Sequence, residues 1–198
     1  MSSAWLLVAA FGLVVAGTST AHARRPTIGG AETRVFHAVN GLPGGLYPFL
    51  WLPMQFGNLL VGTVAGLGVA IVDHDVTAAV GVVLAAALKL LAERVVRRQI
   101  DSYLAVRQRP GVSQSGAILR GDVPVTGPSF PSGHVILAAG VGTVVAPILS
   151  PAWWWVPLVL TVLVMVGRVY VGAHNPLDVT AGLGAGLVLG GVLAALVD

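Results

Sequence analysis

Long apolar runs separated by short polar breaks dominate the chain. Candidate spans are Ala4 to about Ala21, about Tyr47 to Val72, and Val76 onward. Three more follow: from Gly133 to the Ser150-Pro151 break, Trp153 to about Val171, and about Leu177 to Val197. A bilayer crossing needs about 20 mostly apolar residues in helical form. The third run is free of charge from Val76 to Leu88 and continues as a basic helix, KLLAERVVRRQIDSYLAVRQ, over 89–108. The pattern predicts an all-α, polytopic membrane helix bundle of about six transmembrane helices. Residues 1–45 read as an N-terminal transmembrane helix with a basic link, and 46–198 as the main membrane domain. Ala21-His22-Ala23 looks like a signal cleavage site, but MSSAW carries no Lys or Arg and Arg24-Arg25 follows the apolar run. A retained helix is therefore expected. Gly182, Gly186 and Gly190 form a small-residue stripe in the last run, which predicts close packing against another helix.

Composition strengthens this picture. Only 10% of residues are charged and the mean hydropathy is +0.86, against about 25% charged in soluble domains. With no cysteine, disulfide, thiol-nucleophile and thiolate-metal chemistry are excluded. Six helices put both termini on one face, and all 11 Lys and Arg then fall on the other; Asp73, His74, Asp75 and Asp198 lie opposite. The positive-inside rule assigns the basic face to the cytoplasm of a cell-membrane protein.

Three groups of candidate residues meet on that basic face. The first is FPSGH at 130–134, inside a stretch from Val123 to Gly167 without any Lys, Arg, Asp or Glu. Ser132 suits a helix N-cap, with Gly133 and His134 in the first turn. Free N–H groups and the helix dipole favour an anion there; taken alone, His134 equally suits contact with a headgroup or water. The second is GRVYVGAHNPLD at 167–178. Arg168 follows an apolar run, Asn175-Pro176 reads as a helix start, and Asp178 in the first turn can reach back toward His174. A carboxylate on one imidazole nitrogen fixes the tautomer and leaves the other as nucleophile; alternatively, Asp178 only complements the helix N-terminus. The third group is the basic helix ending in RQRP at 107–110. Arg98 and Arg109, 11 residues apart, share a face if the helix persists, and guanidinium groups bind phosphate bidentately. The alternative is ordinary basic flanking, the reading kept for Arg24, Arg25 and Arg34. Two histidines and an aspartate could hold zinc, but the surrounding arginines argue for an anion, of which phosphate matches best.

These residues resemble the signature of the type 2 phosphatidic acid phosphatase family, membrane lipid phosphatases related to soluble vanadium haloperoxidases. That signature is Lys-x6-Arg-Pro, Pro-Ser-Gly-His and Ser-Arg-x5-His-x3-Asp. The second part is complete as Pro131-Ser132-Gly133-His134, and the third is present as Arg168, His174 and Asp178 with Gly167 for its leading Ser. The first retains Arg109-Pro110 but has Ser102 where the lysine belongs. The resemblance covers roughly 46–198 and implies a six-helix lipid phosphatase that needs no metal or cofactor. His174 would attack phosphorus, Asp178 orient it and His134 protonate the leaving oxygen. Arg109, Arg168, Ser132 and the Gly133 N–H would hold phosphoryl oxygens. Arg98, one turn before Ser102, is expected to replace the missing charge; Lys89, 13 residues from Ser102, would do so only if the helix bends. The implied partners are the bilayer and a lipid phosphate such as phosphatidic acid, phosphatidylglycerol phosphate or a polyprenyl (di)phosphate, not nucleic acid. The alternative is a weakly active member that binds phospholipid headgroups or scaffolds a membrane complex.

Overall fold

The structure, a computed structural model, describes residues 2–25, 27–103 and 107–197, with side chains at all of these except 2, 96–103 and 197. The helices are α1 (Ser2–Ala23), α2 (Gly30–Asn40), α3 (Tyr47–Met54), α4 (Leu59–Val72), α5 (Val76–Tyr103), single-turn α6 (Pro110–Ser113), α7 (Gly133–Val145), α8 (Val156–Tyr170) and α9 (Pro176–Val197). Among the described residues the only extended pairing is an isolated bridge between Gln108 and Pro128. The expected all-helical membrane architecture is present. α1, α9 and the Val76–Val95 part of α5 are each long and apolar enough to cross a bilayer; α8, and α7 with its extension to Ile148, are apolar but shorter.

The second run differs from the single helix expected over Tyr47–Val72: α3 and α4 meet at a 73° bend. Pro53 lies in the last turn of α3 and lacks the N–H that would bond back along the helix. Asn58 then restarts the helix, its Oδ1 accepting from Leu60 N–H at 3.0 Å and Val61 N–H at 3.3 Å, a side-chain N-cap. Between them Gly57 lies against α7: a Cβ there would be 2.7 Å from His134 Cβ. The break therefore seats a turn directly on the first turn of α7.

Two further differences concern the basic segments. The link after α1 contains the amphipathic helix α2, whose Phe36 is fully buried with Val135, Val164, Val169 and Val179. The basic helix expected to run through residue 108 is described as far as Tyr103, and by 107–109 the backbone is no longer helical, with Arg109 extended. Arg98 and Arg109 therefore do not share a helical face.

α9 is sandwiched between α1 and α7. Toward α7, a Cβ on Gly182 would lie 2.7 Å from Ser132 O, on Gly186 2.6 Å from Ala139 Cβ, and on Gly190 2.6 Å from Gly140 O. The glycine stripe is thus a packing seam, as its spacing predicts. Toward α1, Gly184 faces Gly12, and Ser19 Oγ lies 3.0 Å from Thr180 Oγ1. That contact sets the C-terminal end of α1 beside the N-terminal end of α9.

Candidate active site

The extended segment 107–109 is fixed to the turn before α7. Arg109 N–H donates to Gly127 O at 3.1 Å, and Ser129 N–H donates to Arg107 O at 2.9 Å. The same turn is tied to α9, where Ser132 N–H donates to Asp178 O at 2.9 Å. Asn175, fully buried, accepts from Gln114 Nε2 at 2.8 Å and donates to Gln108 O at 3.3 Å. Three separated parts of the sequence, 107–114, 127–132 and 175–178, are thereby locked beside one cavity of about 480 Å3. Its polar lining comprises Lys89 and Glu93 from α5, Arg109 and Asp122, Ser129 with the Gly133 and His134 start of α7, Arg168 from α8, and His174.

His174 is almost fully buried, and its Nδ1 lies 2.7 Å from Ser129 O. A carbonyl can only accept, so Nδ1 carries the proton and Nε2 presents its lone pair. Burial, aided by the charges of Arg168 and Arg109, holds His174 below the usual imidazole range despite the opposing pull of Asp178. The ring is thus kept neutral, the form that can act as a nucleophile. The expected Asp178 contact differs: Asp178 Oδ2 lies 3.8 Å from His174 Nδ1, beyond hydrogen-bond distance. Asp178 Oδ2 accepts instead from Asn175 N–H at 2.7 Å, and Oδ1 from Arg107 Nε at 2.6 Å. The tautomer is therefore set by a backbone carbonyl, with Asp178 as a nearby negative charge.

The cationic groups converge. Arg109 donates to Ala173 O at 3.0 Å, next to His174. Arg168 Nε is buried with no hydrogen-bond partner among the described residues, and Ser132 Oγ is in the same condition. Ser132 precedes α7 without making a side-chain cap and does not line the cavity. The Arg98 side chain lies outside the described residues. Lys89, set aside in the sequence because reaching the site would require a bend, reaches it from an unbroken α5. It is 8% exposed and pairs with Glu93 at 3.1 Å. Glu93 packs on the first residue of α7, so closely that a Cβ on Gly133 would overlap its carboxylate.

Sequence reasoning also missed Arg107 and Glu32. Arg107 is buried, bonded to Asp178 and paired with Glu32 of α2. Glu32 in turn accepts from Leu177 N–H at 2.9 Å. Burial raises the Glu32 pKa against the pull of Leu177 N–H and Arg107. The available signal was a second arginine two residues before Arg109 in the same short segment; Arg107 turns to Asp178 and Glu32, while Arg109 lines the cavity. The helical reading of that segment concealed it.

A family model described as PAP2 superfamily matches residues 76–198. An undecaprenyl-diphosphatase of Sulfolobus acidocaldarius is 30% identical over 135 residues, which cover 68% of this chain and 57% of that relative. The chain thus matches little more than half the length of that curated relative. Two solved structures share the fold. A PAP2-type phosphatidylglycerolphosphate phosphatase from Bacillus subtilis has a TM-score of 0.68 at 24% identity, over 96% of this chain and 93% of its own. Aquifex aeolicus LpxE has a TM-score of 0.61 at 20% identity, over 79% and 90% respectively.

Proposed function

The chain belongs to the PAP2 superfamily, and from that premise we propose that it is a membrane phosphatase hydrolysing a lipid phosphate or diphosphate. Candidate substrates are phosphatidic acid, phosphatidylglycerol phosphate and polyprenyl (di)phosphates. The observation that carries this reading is a single cavity holding Lys89, Arg109 and Arg168 beside His134 and His174. His174 Nε2 attacks phosphorus in line, the bond to the leaving oxygen breaks, and His134 gives that oxygen a proton. Water then attacks the phosphohistidine, His134 takes up a proton, and phosphate leaves with His174 regenerated. Arg109, Arg168 and the Gly133 N–H hold the phosphoryl oxygens, the electrostatic stabilisation phosphoryl transfer requires; Ser132, which does not line the cavity, is left out of that set. Arg168 Nε, without a hydrogen-bond partner among the described residues, fits this role, because a buried donor is costly unless an acceptor meets it. Asp178 contributes charge rather than a hydrogen bond to His174. An apolar cavity of about 230 Å3, lined from Phe56 and Ala138 to Leu149 and Trp153, offers the hydrocarbon chain a path beside the site. Lys89 supplies the positive charge absent at Ser102, which weakens the case for an inactive, headgroup-binding member.

The named activities of the undecaprenyl-diphosphatase and phosphatidylglycerolphosphate phosphatase relatives fall in this substrate class. The basic end of the bundle, where Arg24-Arg25 follow α1 next to the start of α9, supports a cytoplasmic active-site face in the cell membrane. The test is phosphate release from a panel of lipid phosphates by detergent-purified protein in chelator, beside His174→Ala and His134→Ala. The parent is expected to release phosphate, with losses of at least about 10²-fold in each variant. Unchanged release in both would remove the mechanism, and no release by the parent would favour headgroup binding.

A further inference from the structure

Behind His174, away from the cavity, lies a row of three buried ionisable side chains drawn from three parts of the chain. Arg107 stands in the middle. Its Nε donates to Asp178 Oδ1 at 2.6 Å, and its terminal nitrogen bonds Glu32 Oε1. The side chains of Arg107, Glu32 and Asp178 are 6%, 8% and 0% exposed. The Glu32 oxygen that meets Arg107 also accepts the N–H of Leu177, the residue just before Asp178. The row ends at His174, whose Nδ1 is 3.8 Å from Asp178 Oδ2. None of the three lines the cavity, so none is placed to touch substrate.

Buried charge is a poor way to hold two helices together, because desolvation offsets most of the attraction. An apolar contact would anchor α2 to α9 as well. What this row does supply is a graded charge behind His174. Two carboxylates and one guanidinium sum to one negative charge. The share that reaches His174 depends on how Arg107 is divided between Asp178 and Glu32. We propose that Arg107 and Glu32 are positioning residues that set the basicity of His174: Arg107 attenuates Asp178, and Glu32 attenuates Arg107. The proposal rests on reading His174 as the nucleophile. A more basic His174 forms the phosphorus–nitrogen bond more readily but is protonated at higher pH and releases phosphate more slowly, so the row adjusts both halves of the cycle.

The signs follow from the charges. Removing Arg107 leaves two carboxylates near the ring, favours imidazolium, and raises the pH at which His174 titrates. Removing the Glu32 charge leaves Arg107 free to neutralise Asp178, and lowers it. Removing both leaves Asp178 alone, the same net charge as the parent. Arg168, Arg109 and His134 also face His174, and every variant keeps them.

The test is a histidine-selective NMR titration of the full chain in detergent, with the His174 signal among five histidines assigned by its loss in His174→Gln. Arg107→Gln is expected to raise the His174 step by about one pH unit or more, the usual effect of an opposite charge gained or lost at this range. Glu32→Gln is expected to lower it, and the double variant to return it toward the parent. Shifts of one sign in both single variants, or no shift in either, overturn the proposal. Should Arg107→Gln fail to fold, Glu32→Gln decides alone, since the amide oxygen still accepts from Arg107 and Leu177; an unchanged or raised step then overturns it. The titration does not require turnover. Absence of phosphate release with the predicted shifts would count against the phosphatase reading only, and release without the shifts against this row only.

Discussion

Lys89 and His174 carry the residue-scale predictions. Lys89 is buried in a cavity that also contains two arginines, with Glu93 as its ion-pair partner. A lysine so placed is ready to transfer its pairing from Glu93 to a phosphoryl oxygen. Lys89→Ala should lower kcat/KM by about 10²–10³-fold, the range for losing one stabilising donor. Arg98→Ala should have a far smaller effect, and the reverse order in steady-state assays would return the missing-lysine role to Arg98. Glu93→Gln should lower KM, since substrate would no longer compete with a carboxylate for Lys89. For His174 the sign is set by burial, which depresses its pKa: the neutral, attacking form persists as pH falls below the ordinary imidazole value of about 6.5 and is lost only below that. The acidic limb of kcat/KM against pH should therefore lie below that value; a limb above it would mean that the Asp178 charge outweighs burial. Most of this site was legible in sequence, because His134, His174 and Arg168 each belong to a short segment with its own helix boundary. Lys89 and Arg107 were not. The role of Lys89 depends on where along α5 the cavity lies, and that of Arg107 on an extended backbone at 107–109, neither of which a local periodicity reveals.

At the scale of elements, the helix seams determine whether the two halves of the site meet. His134 rides on α7, while His174 and Asp178 lie at the start of α9, so a change in the α7–α9 spacing moves one half against the other. A valine at Gly186 would bring its Cβ within 2.6 Å of Ala139 Cβ and 2.7 Å of Ile136 O. Gly186→Val should destabilise the protein by about 1–3 kcal/mol, the usual cost of overpacking, and lower activity together with the midpoint of thermal unfolding in detergent. Gly68→Ala, in α4 with nothing within 4 Å of the added Cβ, should leave the midpoint unchanged or slightly raised. Equal behaviour of the two would mean that the seam is not the constraint. The stripe could be read from sequence because its period matches the helix. The α3–α4 break and α2 were hidden for opposite reasons. The break lies inside a charge-free run, where only Pro53, Gln55 and Asn58 mark it, whereas α2 is amphipathic and too short to register as a span.

Across the whole molecule, the distribution of charge along the bundle axis gives the last prediction. α5 begins beside Asp73 and Asp75 and reaches the cavity at Lys89, about 20 Å further along a helix rising 1.5 Å per residue. At the cavity end lie Arg24 and Arg25 beyond α1, together with Arg107, Arg109, Arg120 and Arg168. Some of these are explained by structure or binding rather than topology. Arg120 bonds three backbone carbonyls and stacks on Tyr170 at 4.1 Å, and Arg109 and Arg168 face the cavity. Arg24 and Arg25 have no such task in the site, so this flanking pair, with the other basic residues of that face that bind nothing in the site, supports the positive-inside argument. The chain has no native cysteine, which allows a direct measurement. Ser115 is exposed on the loop after α6, and Ser115→Cys should resist a membrane-impermeant maleimide in intact cells yet react once the membrane is opened. Val72→Cys, exposed at the opposite end before Asp73, should react in intact cells. The inverse pattern would put the cavity outside and would mean that the arginines at the site, rather than the flanking pair, dominate the charge asymmetry.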